Sequence, residues 1–202
     1  MRNKGCMSAG TIGIALLVIA AILFFWGKNG YNSFVTKEQT VNTKWSNVET
    51  VYQKRANLIP NLERTVKSYA QFEQETLTKV IEARSKATSI TIDPTNMTEA
   101  DMAKFQAAQG ELSGALSRLM AVVEQYPNLK ADQQYTNFQR EYTAIENSIR
   151  SETVYYNEAA QDYNTSIKTF PNNILANFTN FKEKPYFKAD AGAQKAPDVF
   201  TN

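Results

Sequence analysis

The sequence predicts an all-α protein: an N-terminal transmembrane helix followed by an antiparallel four-helix bundle of long helices. Three observations predict it. Residues Gly5 to Gly27 form 23 positions without a charge, bracketed by Lys4 and Lys28. Beyond them helix breakers are scarce. Between residues 31 and 190 the only glycines are Gly110 and Gly114, and the chain's six prolines stand at 60, 94, 127, 171, 185 and 197. Between those prolines apolar residues recur at alternating steps of three and four, the pattern of packed helices.

Residues 1–8 read as a short tail and 9–27 as the membrane anchor. A bilayer core needs about 20 apolar residues, and GTIGIALLVIAAILFFWG supplies them. Trp26 and Lys28 stand where an aromatic and a basic residue meet headgroups. A cleaved signal would also begin with basic residues, here Arg2 and Lys4, but it needs a small-x-small site that FFWGKNGYN does not offer. Cys6 has no apolar run before it, so it is expected to be a free thiol rather than a lipidation site. Basic residues flank the span almost equally. The terminal amine, with Arg2 and Lys4 close to the apolar core, tilts the expected topology towards an inner-membrane protein with an extracytoplasmic body.

The bundle is expected over residues 31–187. Its first stripe is Phe34, Glu38, Val41, Trp45, Val48, Tyr52 and Arg55, and nothing separates it from the span except Gly30. One helix can therefore leave the bilayer and enter the body. A second stretch is expected to begin around Pro60, as a first helical turn or a kink, with a stripe through Leu62, Val66, Tyr69, Glu73, Leu77 and Arg84. TSITIDPTN breaks the period and reads as a loop. Thr98 with Asp101 resembles a capping box. It opens a third stretch through Met102, Phe105, Gln109, Leu112, Leu116, Leu119 and Val123, ended by Pro127. The fourth stretch, about Ala131 to Thr169, carries Tyr135, Phe138, Tyr142, Ile149, Glu152, Tyr156, Ala160, Tyr163 and Ile167. Ile174, Leu175, Phe178 and Phe181 form a short apolar cluster, and residues 188–202 read as a loose tail. A long coiled-coil dimer is the alternative, but four proline-bounded stripes favour packing within one chain.

Composition narrows the chemistry. The 202 residues contain 22 Lys+Arg, 20 Asp+Glu, no His and one Cys. Without His there is no Ser-His or Cys-His pair, and a di-metal carboxylate site of the Glu-x-x-His type cannot be assembled. One Cys excludes an internal disulfide framework. A net charge of +2 gives no sign of a nucleic-acid partner, and no cofactor motif is present. The residues of interest are charges on the inward stripes, Glu38, Arg55, Glu73, Arg84 and Glu152, with Glu146 beside the line, and the candidate amides Asn61, Asn157 and Asn164. Inward charges are usually paired across helices, because an unpaired buried charge is very costly. The same groups facing a cavity would instead form a site.

Strings in this chain resemble the LemA family of bacterial membrane proteins: QKRANLIPNLERTVKSYAQFE, VIEARSKA, EQYPNLKA, YYN and YNTSIKTFPNNILA. The resemblance covers about residues 31–187. It implies a short tail, one span and a four-helix body, and it matches Arg55, Asn61, Glu73, Arg84 and Tyr126-Pro127 to recurrent family positions. It implies no reaction. There are departures: Asn57 stands where the family has Asp, Phe72 where it has His, Thr153 where it has Arg, and Asn180 where it has Gly. The expected function is a non-catalytic scaffold or interaction module at the cell envelope. Its expected partners are the bilayer and unidentified protein. The alternatives are an enzyme acting on envelope material through stripe carboxylates and a binder of a small apolar ligand.

Overall fold

The computed structural model describes residues 9–69 and 72–188. The expected N-terminal tail with Arg2, Lys4 and Cys6 lies outside the described residues, as does the tail from 189 onward. The described residues form six helices in order: α1 (Ala9–Lys67), α2 (Gln74–Ser89), α3 (Glu99–Val123), α4 (Pro127–Lys130), α5 (Gln133–Lys168) and α6 (Asn172–Thr179). The four long helices of the body are the second half of α1, α2, α3 and α5.

Helix α1 has 59 residues, a rod of about 88 Å at 1.5 Å per residue. Its first part is the one helix among the described residues long and apolar enough to cross a membrane. There Ile12, Leu16, Leu17, Ile22, Phe24 and Phe25 are all exposed. From Phe34 the stripe turns inward: Phe34, Val41, Trp45, Val48 and Arg55 are buried.

Cross-helix pairs fix the topology. Lys37 meets Asp162, Lys44 sits over Tyr155, Arg55 meets Glu146 and Tyr69 meets Asp132. Numbers rise on α1 as they fall on α5, so the two run antiparallel. Helices α2 and α3 are likewise antiparallel, joined by the Lys86–Glu111 ion pair at 2.9 Å. The α1–α2 turn and α4 therefore lie at the pole away from the apolar span. The end of α5 and α6 lie at the pole beside it.

The boundary expected at Pro60 is corrected: α1 continues through Pro60 to Lys67. A proline in a helix leaves the carbonyl four residues earlier without its usual donor. That carbonyl, on Ala56, accepts a hydrogen bond from Arg84 Nε of α2 at 2.9 Å. A neighbouring helix thus repairs the defect. The chain breaks instead after Lys67, where Phe72 is buried against Tyr126, ring centroids 5.2 Å apart. Phe72 is therefore a core residue of the distal turn.

The capping box is present: Thr98 and Asp101 bond reciprocally at the start of α3. Asp132 caps α5, accepting from the Gln134 and Tyr135 amides. Helix α6 ends at Asn180, whose φ of 60° is left-handed. Asn tolerates that region best after Gly. The apolar cluster expected after α5 is divided. Leu175 and Phe181 pack on the core, whereas Ile174 and Phe178 are 59% and 89% exposed.

Candidate functional site

The core is not continuous. A distal cluster contains Ile59, Leu62, Val66, Phe72, Leu77, Leu116 and Tyr135. A membrane-proximal cluster contains Phe34, Trp45, Met97, Phe105, Tyr156 and Tyr163. Between them lies a polar layer centred on Arg55.

Arg55 is 2% exposed. Its Nη1 donates to Ser113 Oγ at 2.6 Å and to Glu146 Oε1 at 2.9 Å. Its Nη2 donates to the carbonyl and to Oε1 of Gln109, at 3.0 and 2.6 Å. The Tyr52 ring lies 5.0 Å from the guanidinium, in cation–π range. Gln109 Nε2 donates onward to the Ala87 carbonyl at 3.3 Å. The chain of bonds therefore touches α1, α2, α3 and α5. A buried guanidinium is tolerated because four of its five donors find acceptors. The layer opens on one side into a cleft of about 430 Å³ bordered by Tyr52, Gln106, Glu146 and Arg150. Burial, and then the Glu146 charge, hold the neighbouring Tyr142 phenol above its ordinary range.

A second polar cluster lies towards the membrane pole. After α6 the chain runs extended through residues 181–188 and lies along the bundle as a strap. Two asparagines hold it. Asn164 Nδ2 donates to the Lys184 carbonyl and Asn164 Oδ1 accepts from the Lys184 amide, both at 2.8 Å. Asn157 does the same for Phe187, at 3.1 and 2.9 Å. The two asparagines are seven residues apart on α5, two helical turns, so their amides stand in line on one face. Each side-chain amide replaces the backbone partner that an extended segment lacks. Tyr156 adds a bond from its hydroxyl to the Pro185 carbonyl at 2.9 Å. Both asparagines of the Tyr-Asn pairs, with Tyr156 of the first, thus grip the strap. Phe187 then packs against Trp45, Phe105 and Tyr156.

Lys184, which the stripes gave no reason to single out, is 4% exposed. Its ammonium reaches the Pro94 and Thr95 carbonyls at 2.8 and 3.1 Å and Glu38 Oε1 at 2.8 Å. All three donors are used, and the strap is thereby tied to the α2–α3 loop and to α1. Bonds from Thr95 and Asn96, with Lys184 nearby, hold the Asp93 carboxyl below its usual range. A signal was available in the sequence: two asparagines in helical register followed by a proline-containing segment too short for another helix.

The remaining expected residues are not gathered there. Glu73 is exposed at the start of α2 and makes no side-chain cap bond. Its place on the inward stripe is corrected, because the chain break after Lys67 shifts the register of α2 relative to α1. Asn61 is exposed on α1 and accepts from Arg64 within its own helix. Arg84 serves the Ala56 carbonyl. Glu152 keeps one buried carboxylate oxygen with no hydrogen-bond partner among the described residues. Glu38 and Glu146 answer different cations, Lys184 and Arg55, in layers separated by about 25 Å of α1. Among the described residues no three His, Cys, Asp or Glu side chains form a metal-holding group.

The chain is similar to known proteins. A LemA family profile matches residues 44–200. Magnetosome protein MamQ 2 of Paramagnetospirillum magneticum is 30% identical over 175 residues, 78% of this chain and 64% of that protein. Magnetosome protein MamQ of Magnetospirillum gryphiswaldense is 29% identical over 174 residues, with the same coverage. Protein LemA of Metamycoplasma hominis is 26% identical over 173 residues, 86% of this chain and 75% of that protein. The chain thus spans slightly less than two thirds of the MamQ proteins it matches. With a family profile extending from within α1 past the strap, the chain belongs to the LemA family.

Proposed function

We propose that this protein is a membrane-anchored, non-catalytic rod that presents an interaction surface at a set height above the bilayer. One observation carries the reading: the exposed apolar segment and the core of the body belong to the same uninterrupted helix, α1. A flexible linker would let the body wander. A continuous helix fixes both the distance and the direction of the body relative to the membrane. The polar layers support the same reading. Arg55 and Lys184 spend their donors joining helices and strap, which makes the rod stiff. The distal pole, with Pro127–Lys130 and the α1–α2 turn, is the surface held farthest from the bilayer, and loops on a rigid scaffold are where contacts are made. The body is taken to be extracytoplasmic, on the basic residues before the span.

In-membrane crosslinking through a photoreactive residue at Asn128 tests the proposal. Reproducible capture of one partner, above an unrelated single-span control, is expected. No enrichment over that control counts against a scaffold. Protease access to a C-terminal tag in intact spheroplasts tests the topology, and a protected tag reverses it. The enzyme reading draws on Glu146 at the edge of the open cleft. It gains ground if Glu146→Gln abolishes a cellular phenotype while the melting temperature stays unchanged.

A further inference from the structure

We infer that α6 is a foot that rests in the headgroup layer of the bilayer, with Phe170, Ile174 and Phe178 inserted into the membrane interface. The inference rests on the reading of the first part of α1 as a membrane span.

Helix α5 is antiparallel to α1, so its end at Lys168 lies beside the start of the body. Helix α6 comes next in the chain, at the same pole. Leu175 sits so close to Gly30 that a Cβ on Gly30 would come within 2.7 Å of its Cδ2. Phe181 packs edge-on against Tyr31 and Phe34, with centroids 5.6 and 5.3 Å away. The uncharged run ends at Gly27, and three further residues rise only about 4.5 Å. The headgroup zone is roughly 5–7 Å deep on each side. Helix α6 is therefore packed against the part of α1 that leaves the hydrocarbon and crosses that zone.

The surface chemistry fits the same place. Helix α6, NNILANFT, contains no charged residue. Its packed face is formed by Leu175 and Ala176. On the opposite side Ile174 is 59% exposed and Phe178 is 89% exposed, and Phe170, four residues before Ile174, is 77% exposed. Ile174 and Phe178, four residues apart, share one side of α6, and Phe170 stands in the turn just before it. Among the described residues outside the span, no other phenylalanine is exposed to that degree. Lys168, paired with Glu183 at 2.6 Å, and Lys182 flank the patch, and Lys28 stands at the end of the span, a charged border with a basic excess as interfacial helices carry. A water-facing patch of this kind is unfavourable, whereas the adjoining bilayer covers it without a further partner.

The test uses the full chain with Cys6→Ser, reconstituted into vesicles of phosphatidylcholine and phosphatidylglycerol. An environment-sensitive fluorophore is attached at Phe178→Cys, and in separate samples at Ile174→Cys, at Ile22→Cys in the span and at Thr136→Cys on the distal body. Lipids spin-labelled at the headgroup or deep in the acyl chain serve as quenchers. At 178 and 174 the emission is expected to shift to the blue and to lose intensity mainly to the headgroup quencher. At 22 the deep quencher is expected to dominate, and at 136 neither. Water-like, unquenched emission at 178 and 174 with a quenched label at 22 overturns the foot and leaves the span standing. An unquenched label at 22 removes the span and the foot with it. Blue-shifted emission at 178 that no lipid quenches shows a protein cover, from a partner or a second copy, and also overturns the proposal.

Discussion

The bond from Arg84 to the Ala56 carbonyl makes a prediction that joins two residues on different helices. Arg84→Leu keeps most of the side-chain volume and removes the donor. Ala56 is 3% exposed, so its carbonyl then lacks both the Pro60 amide, which does not exist, and a replacement. Losing a hydrogen bond from a charged group costs about 1.5–3 kcal/mol. For a chain of this size that lowers the melting temperature by about 3–12 °C. Pro60→Ala restores an amide four residues after Ala56, so the helix satisfies its own carbonyl. Arg84→Leu is therefore expected to cost much less in the Pro60→Ala background, with a coupling of about 1 kcal/mol or more. Urea unfolding of the four proteins in detergent, followed by circular dichroism, measures all sides of the cycle. If Arg84→Leu costs the same with and without Pro60, the repair does not operate and the bond is incidental.

Other outcomes are expected from the two polar clusters. Asn164→Ala strands the amide and carbonyl of buried Lys184, worth about 2 kcal/mol, and should raise chymotrypsin cleavage after Phe187 by about 30-fold; cleavage unchanged from wild type would mean the asparagine does not hold the strap. Arg55→Ala leaves Glu146 and Gln109 without their partner and should cost about 3 kcal/mol, whereas Arg55→Met with Glu146→Leu should cost less, since an ion pair replaced by apolar groups of similar size is tolerated; urea midpoints compare them. Burial raises the Tyr156 and Tyr163 phenols above their ordinary 10.0, helped at Tyr163 by the Glu38 charge. The unfolded chain then releases those protons first, so this stability is complete below about pH 10 and falls above it, by up to about 1.4 kcal/mol per pH unit for each tyrosine. Tyrosinate absorbance at 295 nm alongside urea midpoints checks the sign, and ten tyrosines titrating together near 10 in the folded protein would contradict it.

The features legible in the sequence were those that depend on period and length. Phe34, Val41, Trp45 and Val48 on α1 and Met102, Phe105, Leu112, Leu116 and Leu119 on α3 are core because apolar residues at steps of three and four fall on one helical face. The capping box at Thr98 and the long uncharged run depend only on neighbours in the chain, so they too could be read directly. The stripes also mark Arg55 as an inward charge and set Glu146 beside the line. Their meeting, and the part taken by Gln109 and Ser113, needed the register of α1 against α3 and α5.

Where the reading failed, a distant residue had changed the local rule. Proline ends most helices because it orphans a carbonyl, and here Arg84 of α2 supplies that carbonyl with a donor, so α1 runs on to Lys67. Glu73 lost its inward place when the break moved. Lys184 and Phe187 carry no periodic signal, since an extended strap has none, and their burial comes from asparagines some 20 to 30 residues earlier. By itself the sequence determined four amphipathic helices and one apolar span, because local spacing sets those. Only the tertiary structure decided where α1 ends, which charges are paired and what the Tyr-Asn pairs are for, because a hydrogen bond between distant segments is formed by the fold and leaves no period in the chain.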